Sequence, residues 1–304
     1  MSSAPDITLV AVTFGDPDLA VRTGTGLEAA QRSVGSPPVE LVLAAVGDDG
    51  SAAAKTIAER AAPAGLEARV LELPAGTGYV AAANAGVAAA TGDIVVCARP
   101  EVSFHQRFLR RLRVEAAESW DLLAPAVREG EGGKVPTGAT HRGRALRLVP
   151  DATQPKQAQT VAAGNGACVI VRRSVLDRRV QLAGGLFEEA FEAGAEDLDL
   201  FWWAERQGLL VRFVPNLIVG NAVGQEVDVV ADIQRRAMAD YRVAAWRHAA
   251  APREWWAWVL GEGAALGEVV VAHRLDGLRR YAVSWADSLR VTRRIRRRRG
   301  ALRA

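Results

Sequence analysis

Short apolar runs rich in β-branched residues alternate with longer alanine-rich segments through the first hundred residues. The runs "ITLVAVTF" (7–14), "VELVLAAVG" (39–47), "EARVLELP" (67–74) and "DIVVCARP" (93–100) have the length of buried strands and are closed by Gly, Pro or Asp. Between them, segments such as "SAAAKTIAERAA" and "GYVAAANAGVAAAT" have the composition and length of crossover helices. Parallel strands need a long crossover, so this order predicts an α/β fold with a mostly parallel sheet and helices on both faces. Ligands of such sheets bind beyond the carboxyl ends of the strands, which directs attention to residues 14–16, 44–49 and 99–101.

The pattern changes in the second half. "WDLLAPAVR" and "ACVIVRRS" read as further strands, separated by a Gly-, Pro- and Lys-rich stretch from about 129 to 160 that reads as a mobile loop holding a hairpin at "RALRLVP". After a last strand in "LLVRFVPNLIVGN" (209–221), Ile233, Met238, Tyr241, Ala245 and Trp246 recur at near-helical spacing. The expected division is an α/β domain over 1–225 and a C-terminal helical extension with a basic tail over 226–304. No internal repeat is visible.

Composition narrows the function classes. The chain has 304 residues, 49% of them hydrophobic and 24% charged, which is ordinary globular material. The formal charge of +3 hides an asymmetry, because residues 290–300, "RVTRRIRRRRG", hold seven arginines and leave the rest slightly acidic. Such a run reads as flexible, solvated charge, or as a contact to an anionic membrane surface. With no aromatic-basic platform elsewhere, nucleic acid is not an expected partner. Cys97 and Cys168 sit inside apolar runs and read as buried thiols in a reducing compartment. His105, His141, His248 and His273 show no ligand spacing for zinc. The apolar run "WWAWVLGEGAALGEVVVAHR" is interrupted by Glu262 and Glu268, too polar for a membrane span. No leader pattern is evident at the start. The expected location is cytoplasmic, with association at the inner membrane face.

Two stretches carry candidate chemistry. "AGAEDLDLFWWAERQG" (193–208) places Glu196, Asp197 and Asp199 at the mouth of an aromatic helix. Acids in a first turn are favoured by the helix dipole and by capping, and the same position suits a general base. "VVCARPEVSF" (95–104) ends a strand on Arg99 and a lone acid, Glu101. Trp202 and Trp203 are adjacent, so one of them is expected near the pocket or at a second interface. Trp255, Trp256 and Trp258, next to Arg253, fit a membrane surface, helix packing or a homodimer contact equally well.

With these pieces placed, the chain resembles the family-2 glycosyltransferases of the GT-A fold, especially their rhamnosyltransferase-like branch, over roughly residues 5–250. "GTGYVAAANAGVAAATGDIVVCARPE" (76–101) looks like the family's N-x-G-F-A-x-x-x-N-x-G helix and L-N-P-D-like turn. "GNGACVIVRRSVL" followed by "GGLFEEAFEAGAEDLDL" resembles the acceptor-side glycine segment and the E-D-x-D-L block. "VRFVPNLIVGN" looks like the last core strand, usually closed by histidine. The resemblance implies inverting transfer of a sugar from a nucleotide-sugar donor to a hydroxyl of a cell-envelope glycan or lipid-linked acceptor. By motif position it implies Asp197 as base, with Glu196 and Asp199 orienting the helix start or the acceptor. It implies Phe14, Asp48, Asp49, Gly78, Asn84, Arg99 and Glu101 on the donor side, and Gly164, Asn165, Gly166, Trp202 and Trp203 on the acceptor side. Mg²⁺ or Mn²⁺ would sit at Glu101 and Asn221.

The departures are as informative. Glu101 stands for Asp and Arg99 for Asn in the strand-end turn, Asn221 for the closing histidine, Trp203 for an arginine, and Ala44 for the acid that grips the nucleobase, leaving Asp48 and Asp49 as substitutes. They imply either a donor bound differently, with Arg99 supplying charge, or a catalytically degenerate relative that binds or scaffolds.

Overall fold

The strands send alternate side chains into two different cores. In β1 (Ile7–Thr13) Ile7, Leu9 and Ala11 point to one face and Val10 and Val12 to the other; β2 (Glu40–Val46) and β4 (Ile94–Ala98) repeat the alternation. A strand covered by helices on both sides has no polar face, which is why these segments read as unbroken apolar runs. Burying each valine or leucine contributes about 1.5–3 kcal/mol, and these residues are almost completely buried. The computed structural model describes residues 6–34, 39–129, 140–142, 148–150, 154–191, 194–221, 230–248 and 281–298, with isolated positions between 256 and 279.

Helices α1 (Pro17–Arg32), α2 (Gly47–Ala61) and α4 (Phe108–Glu115) cover the first face. On the second lie α3 (Tyr79–Ala89), α5 (Arg173–Ala183) and α6 (Glu196–Arg206). β3 (Ala68–Leu73), β2, β1 and β4 run parallel, and β10 (Cys168–Arg172) then pairs antiparallel with both β4 and β6 (Leu122–Glu129). β11 (Val211–Asn221) is parallel to β6 and antiparallel to β5 (Val102–Phe104) and β9 (Gln159–Thr160). The described part of the main sheet thus has order β3-β2-β1-β4-β10-β6-β11-β5. The expected mostly parallel sheet is present, as is the hairpin in the 129–160 stretch, where β7 (Thr140–Arg142) pairs antiparallel with β8 (Leu148–Pro150). Most of that stretch otherwise lies outside the described residues.

Beyond β11 the chain is helical in α7 (Val230–His248) and α8 (residues 281–298). The arginine run is a correction to its reading as flexible charge. Its described part, to Arg298, forms the end of α8, because Ser284, Ser288, Val291 and Ile295 recur at helical spacing and are buried, while Arg290, Arg293, Arg296 and Arg297 face outward. Val291 and Ile295 pack with Val243 and Ala244 of α7, Trp202 of α6, and Phe191. Trp255, Trp258 and the side chains of Ile233 and Met238 lie outside the described residues, and the described Trp256 is 68% exposed.

Candidate active site

The carboxyl ends of β1 and β4 open onto a small cleft against α1 and α2, lined by residues 11–16, Leu19, Ala20, Thr23, Ala53, Ile57, Arg99 and Pro100. The turn after β1 is fixed locally. Asp16 caps α1 by accepting from the Asp18 and Leu19 amides at 2.9 and 3.0 Å, Pro17 starts the helix, and Gly15 takes φ +113° with Asp49 packed against it. Phe14 is left 43% exposed at the cleft. Asp48 and Asp49 are exposed in the first turn of α2, immediately beyond β2. Ala44, which stands where the family has an acid, is completely buried against α3, and the acids beyond the strand end are Asp48 and Asp49. Gly78 starts α3 without a side-chain cap and with open space around it.

The turn after β4, which lends Arg99 to the cleft, also meets the start of α6, whose Glu196 and Asp197 are not among the residues lining the cleft. Arg99 Nη2 forms a short ion pair with Glu196 Oε1, and its guanidinium lies 5.3 Å from the centre of the Tyr79 ring. The Arg99 amide donates to the Ala167 carbonyl at 2.9 Å, which ties this turn to the glycine segment 164–166. Arg99 is therefore not the free cation expected for a diphosphate, since its charge is matched by Glu196. The pair sets a guanidinium against the Glu196 side chain, which is only 2% exposed.

Asp197 is placed differently from its neighbours. Its Oδ1 accepts from the Leu198 amide at 2.7 Å, and its Oδ2 lies against Gly166, where a Cβ would come within 1.9 Å. The side chain is half-buried. Burial first, then the negative charge of Glu196, push its pKa up to about 6, with Arg99 and the Leu198 amide pulling the other way. The result is a partly desolvated carboxylate poised to titrate near neutrality, the property a general base needs.

Other expected site residues are committed elsewhere. Asp199 is fully buried and bound by Arg179, Arg247 and His248, so it cannot reach an acceptor. Asn84 is also corrected: its Nδ2 donates to the Phe187 carbonyl at 2.9 Å and its Oδ1 accepts the Phe187 amide at 3.0 Å, clamping α3 to the 185–187 segment rather than facing a donor. Trp202 and Trp203 are 1% and 6% exposed and neither lines an acceptor surface. Gly164 packs against Ala124 and Phe201, and Asn165 Oδ1 accepts the Ala167 amide at 2.9 Å, so both shape the loop that carries Gly166.

β5 pairs with β11 so that Asn221 stands opposite Val102, one residue along the chain from Glu101. Asn221 Oδ1 is buried without a hydrogen-bond partner. A buried amide oxygen normally has a donor or a cation against it. No group of three or more His, Cys, Asp or Glu side chains suited to a metal occurs among the described residues. The strand pairing brings Glu101 and Asn221, whose side-chain oxygens are of the type a hard cation takes, to neighbouring register positions. The composition and charge of the sequence gave no hint of the interlock between Asp197 and Gly166, which joins residues 31 positions apart.

Sheet order, helices on both faces and a cleft at the carboxyl ends of β1 and β4 define a GT-A glycosyltransferase fold. The family model for glycosyl transferase family 2 matches residues 29–180, half of the chain, and the protein belongs to that family. It is a glycosyltransferase. The match ends before α6, so Asp197 lies outside it. Three solved structures share the fold. S. aureus TarS in complex with UDP has TM-score 0.64 at 14% identity, covering 98% of this chain and 83% of its own. The mannosyltransferase PcManGT from Pyrobaculum calidifontis, in complex with GDP-Man and Mn²⁺, has TM-score 0.54 at 17% identity, covering 95% and 81%. GalNAc-T7 with UDP, GalNAc and Mn²⁺ has TM-score 0.59 at 14% identity, covering 81% and 48%. No curated protein matches the sequence.

Proposed function

We propose that the protein transfers a sugar from a nucleotide-sugar donor to an acceptor hydroxyl with inversion at the anomeric carbon, and that Asp197 is the general base. The observation that carries this reading is Asp197 itself: an oxygen against Gly166, a half-buried carboxylate with a raised pKa, and a position at the mouth of α6. The acceptor O–H gives its proton to this carboxylate as its oxygen attacks the anomeric carbon. The bond from that carbon to the nucleoside diphosphate breaks on the opposite face, and the diphosphate leaves with the electron pair.

Phe14, exposed at the end of β1, suits a nucleobase face, and Asp48 and Asp49 suit base or ribose hydrogen bonding. Glu101 and the unpartnered Asn221 oxygen would hold a divalent cation, which when bound offsets charge on the departing diphosphate. The Arg99–Glu196 pair holds the wall of the site and fixes the charge next to the base. Gly78 leaves room for the donor at the start of α3.

The donor class is supported by the nucleotides bound in the solved relatives, GDP-Man in one and UDP in two others. Calorimetric titration with UDP-, GDP- and dTDP-linked sugars, with and without Mn²⁺, tests it, and NMR of the product anomer tests inversion. Binding to none of them by folded protein would instead favour the scaffolding alternative. We further propose a cell-envelope glycan or glycolipid as acceptor, reached from the cytoplasmic membrane face. The outward arginines of α8 suit an anionic lipid surface, and no helix among the described residues is long and apolar enough to cross a membrane. Salt-insensitive binding to anionic vesicles, or binding unchanged on deleting 290–304, would remove that role.

A further inference from the structure

Two residues beyond Asp197, the first turn of α6 carries a carboxylate with a different task. Asp199 Oδ2 pairs with Arg179 Nη2 of α5 at 2.5 Å. Its Oδ1 meets His248 Nε2 at 2.8 Å and Arg247 Nη1 at 3.0 Å, both at the C-terminal end of α7. Despite complete burial, these partners, Arg179 foremost, hold its carboxyl well below the usual range, so it acts only as an acceptor and His248 donates from Nε2. Arg247 also pairs with Glu188 at 3.4 Å. The His248 ring stands edge-on to Trp202 with centroids 5.9 Å apart, and its carbonyl accepts from Arg206 in the last turn of α6. Thus the end of α7 holds α6 near both of its termini.

We propose that Arg247 and His248 are positioning residues for sugar transfer: through Asp199 they set the rotation of α6, and with it the placement of the Asp197 carboxylate over Gly166. The proposal rests on the reading of Asp197 as the base. Successive residues are about 100° apart around a helix, so fixing Asp199 against α5 and α7 dictates where Asp197 points. The tolerance is small, because Asp197 Oδ2 lies where even a methyl group on Gly166 would collide. A base displaced by about an ångström loses much of its effect without any change in donor contacts. Sequence alone hides this arrangement, since His248 is 49 residues from Asp199 and shows no motif spacing.

The test uses the full-length chain and its variants His248→Leu, His248→Gln, Arg247→Gln and Asp197→Asn. Nucleotide release from UDP-glucose, UDP-GlcNAc, GDP-mannose and dTDP-rhamnose is measured beside amide hydrogen exchange of residues 196–200. His248→Leu should lower kcat at least tenfold with donor KM within twofold, and should speed exchange in the first turn of α6. His248→Gln, which keeps an N–H donor, should recover most of kcat. His248→Leu with wild-type kcat, or with unchanged exchange, would overturn the proposal. If that variant does not fold, Arg247→Gln must show the same loss in kcat with donor KM held, and its wild-type behaviour would overturn it equally. If Asp197→Asn stays fully active, or no donor turns over, the base reading fails or stands apart, and the exchange result alone decides whether α7 holds α6.

Discussion

Trp202 and Trp203 are neighbours in α6 yet are buried in different cores. Trp202 packs with Phe191, Val243, Val291 and Ile295, and Trp203 lies in the core between the second sheet face and its helices, with Leu176, Leu200 and Val211. The helix that carries Asp197 is therefore a wall shared by the sheet and the C-terminal helices. Trp202→Ala should destabilise the protein by about 3–5 kcal/mol, the range for deleting a buried tryptophan. A chain cut at residue 225 should lose comparable or greater stability in urea unfolding. A truncated chain as stable as the whole would make the C-terminal helices an independent appendage.

The pH dependence follows from the direction of the Asp197 shift. A base must be ionised to accept a proton, so kcat/KM should rise with pH through about 6 and level off above it. Glu196→Gln removes a negative neighbour that raises the Asp197 pKa and leaves Arg99 to lower it, so the acid limb should move to lower pH. A limb that stays in place, or moves up, would show that another group governs the profile.

Gly166→Ala tests the geometry directly. The added carbon would fall 1.9 Å from Asp197 Oδ2, and the nearby Asp197 atoms leave it no space. Either the carboxylate or the 164–166 loop must move. Transfer should fall by at least tenfold while donor binding stays within about twofold, because neither group is placed on the donor side. Unaltered turnover would mean that the Asp197 position does not matter.

Glu101 and Asn221 make a claim about metal. With Mn²⁺ present, wild-type protein should bind nucleotide sugar more tightly than without it, and Glu101→Gln combined with Asn221→Ala should erase that difference. Titrations of both proteins with and without the ion give the answer. A metal effect that survives in the double variant would place the cation elsewhere.

Much of the sheet was legible because local pattern and tertiary role agree in it. The four apolar runs at 7–14, 39–47, 67–74 and 93–100 became β1, β2, β3 and β4 to within two residues at each end. β5 was missed, since Val102–Phe104 is three residues long and is a strand only because β11 lies beside it. By local pattern the three acids at 196–199 read alike, and only the family motif set Asp197 apart. Their roles diverge because helical rotation turns Glu196 to Arg99, Asp197 to Gly166 and Asp199 to Arg179 and His248, partners 20 to 97 residues apart in ways no local pattern encodes. The arginine run looked flexible because its inward stripe, Ser284, Ser288, Val291 and Ile295, is only half apolar and needs α7 and Trp202 to become a face.

The most direct measurement is turnover and donor affinity of Asp197→Asn beside wild type. Asparagine keeps the size of the side chain and its contact with Gly166 but cannot accept the acceptor proton. Transfer should fall by two orders of magnitude or more, about 2.7 kcal/mol or more of transition-state stabilisation, with donor Kd within about threefold and the pH limb near 6 gone. An Asp197→Asn protein that transfers sugar at the wild-type rate with the same pH profile would contradict the assignment of the base.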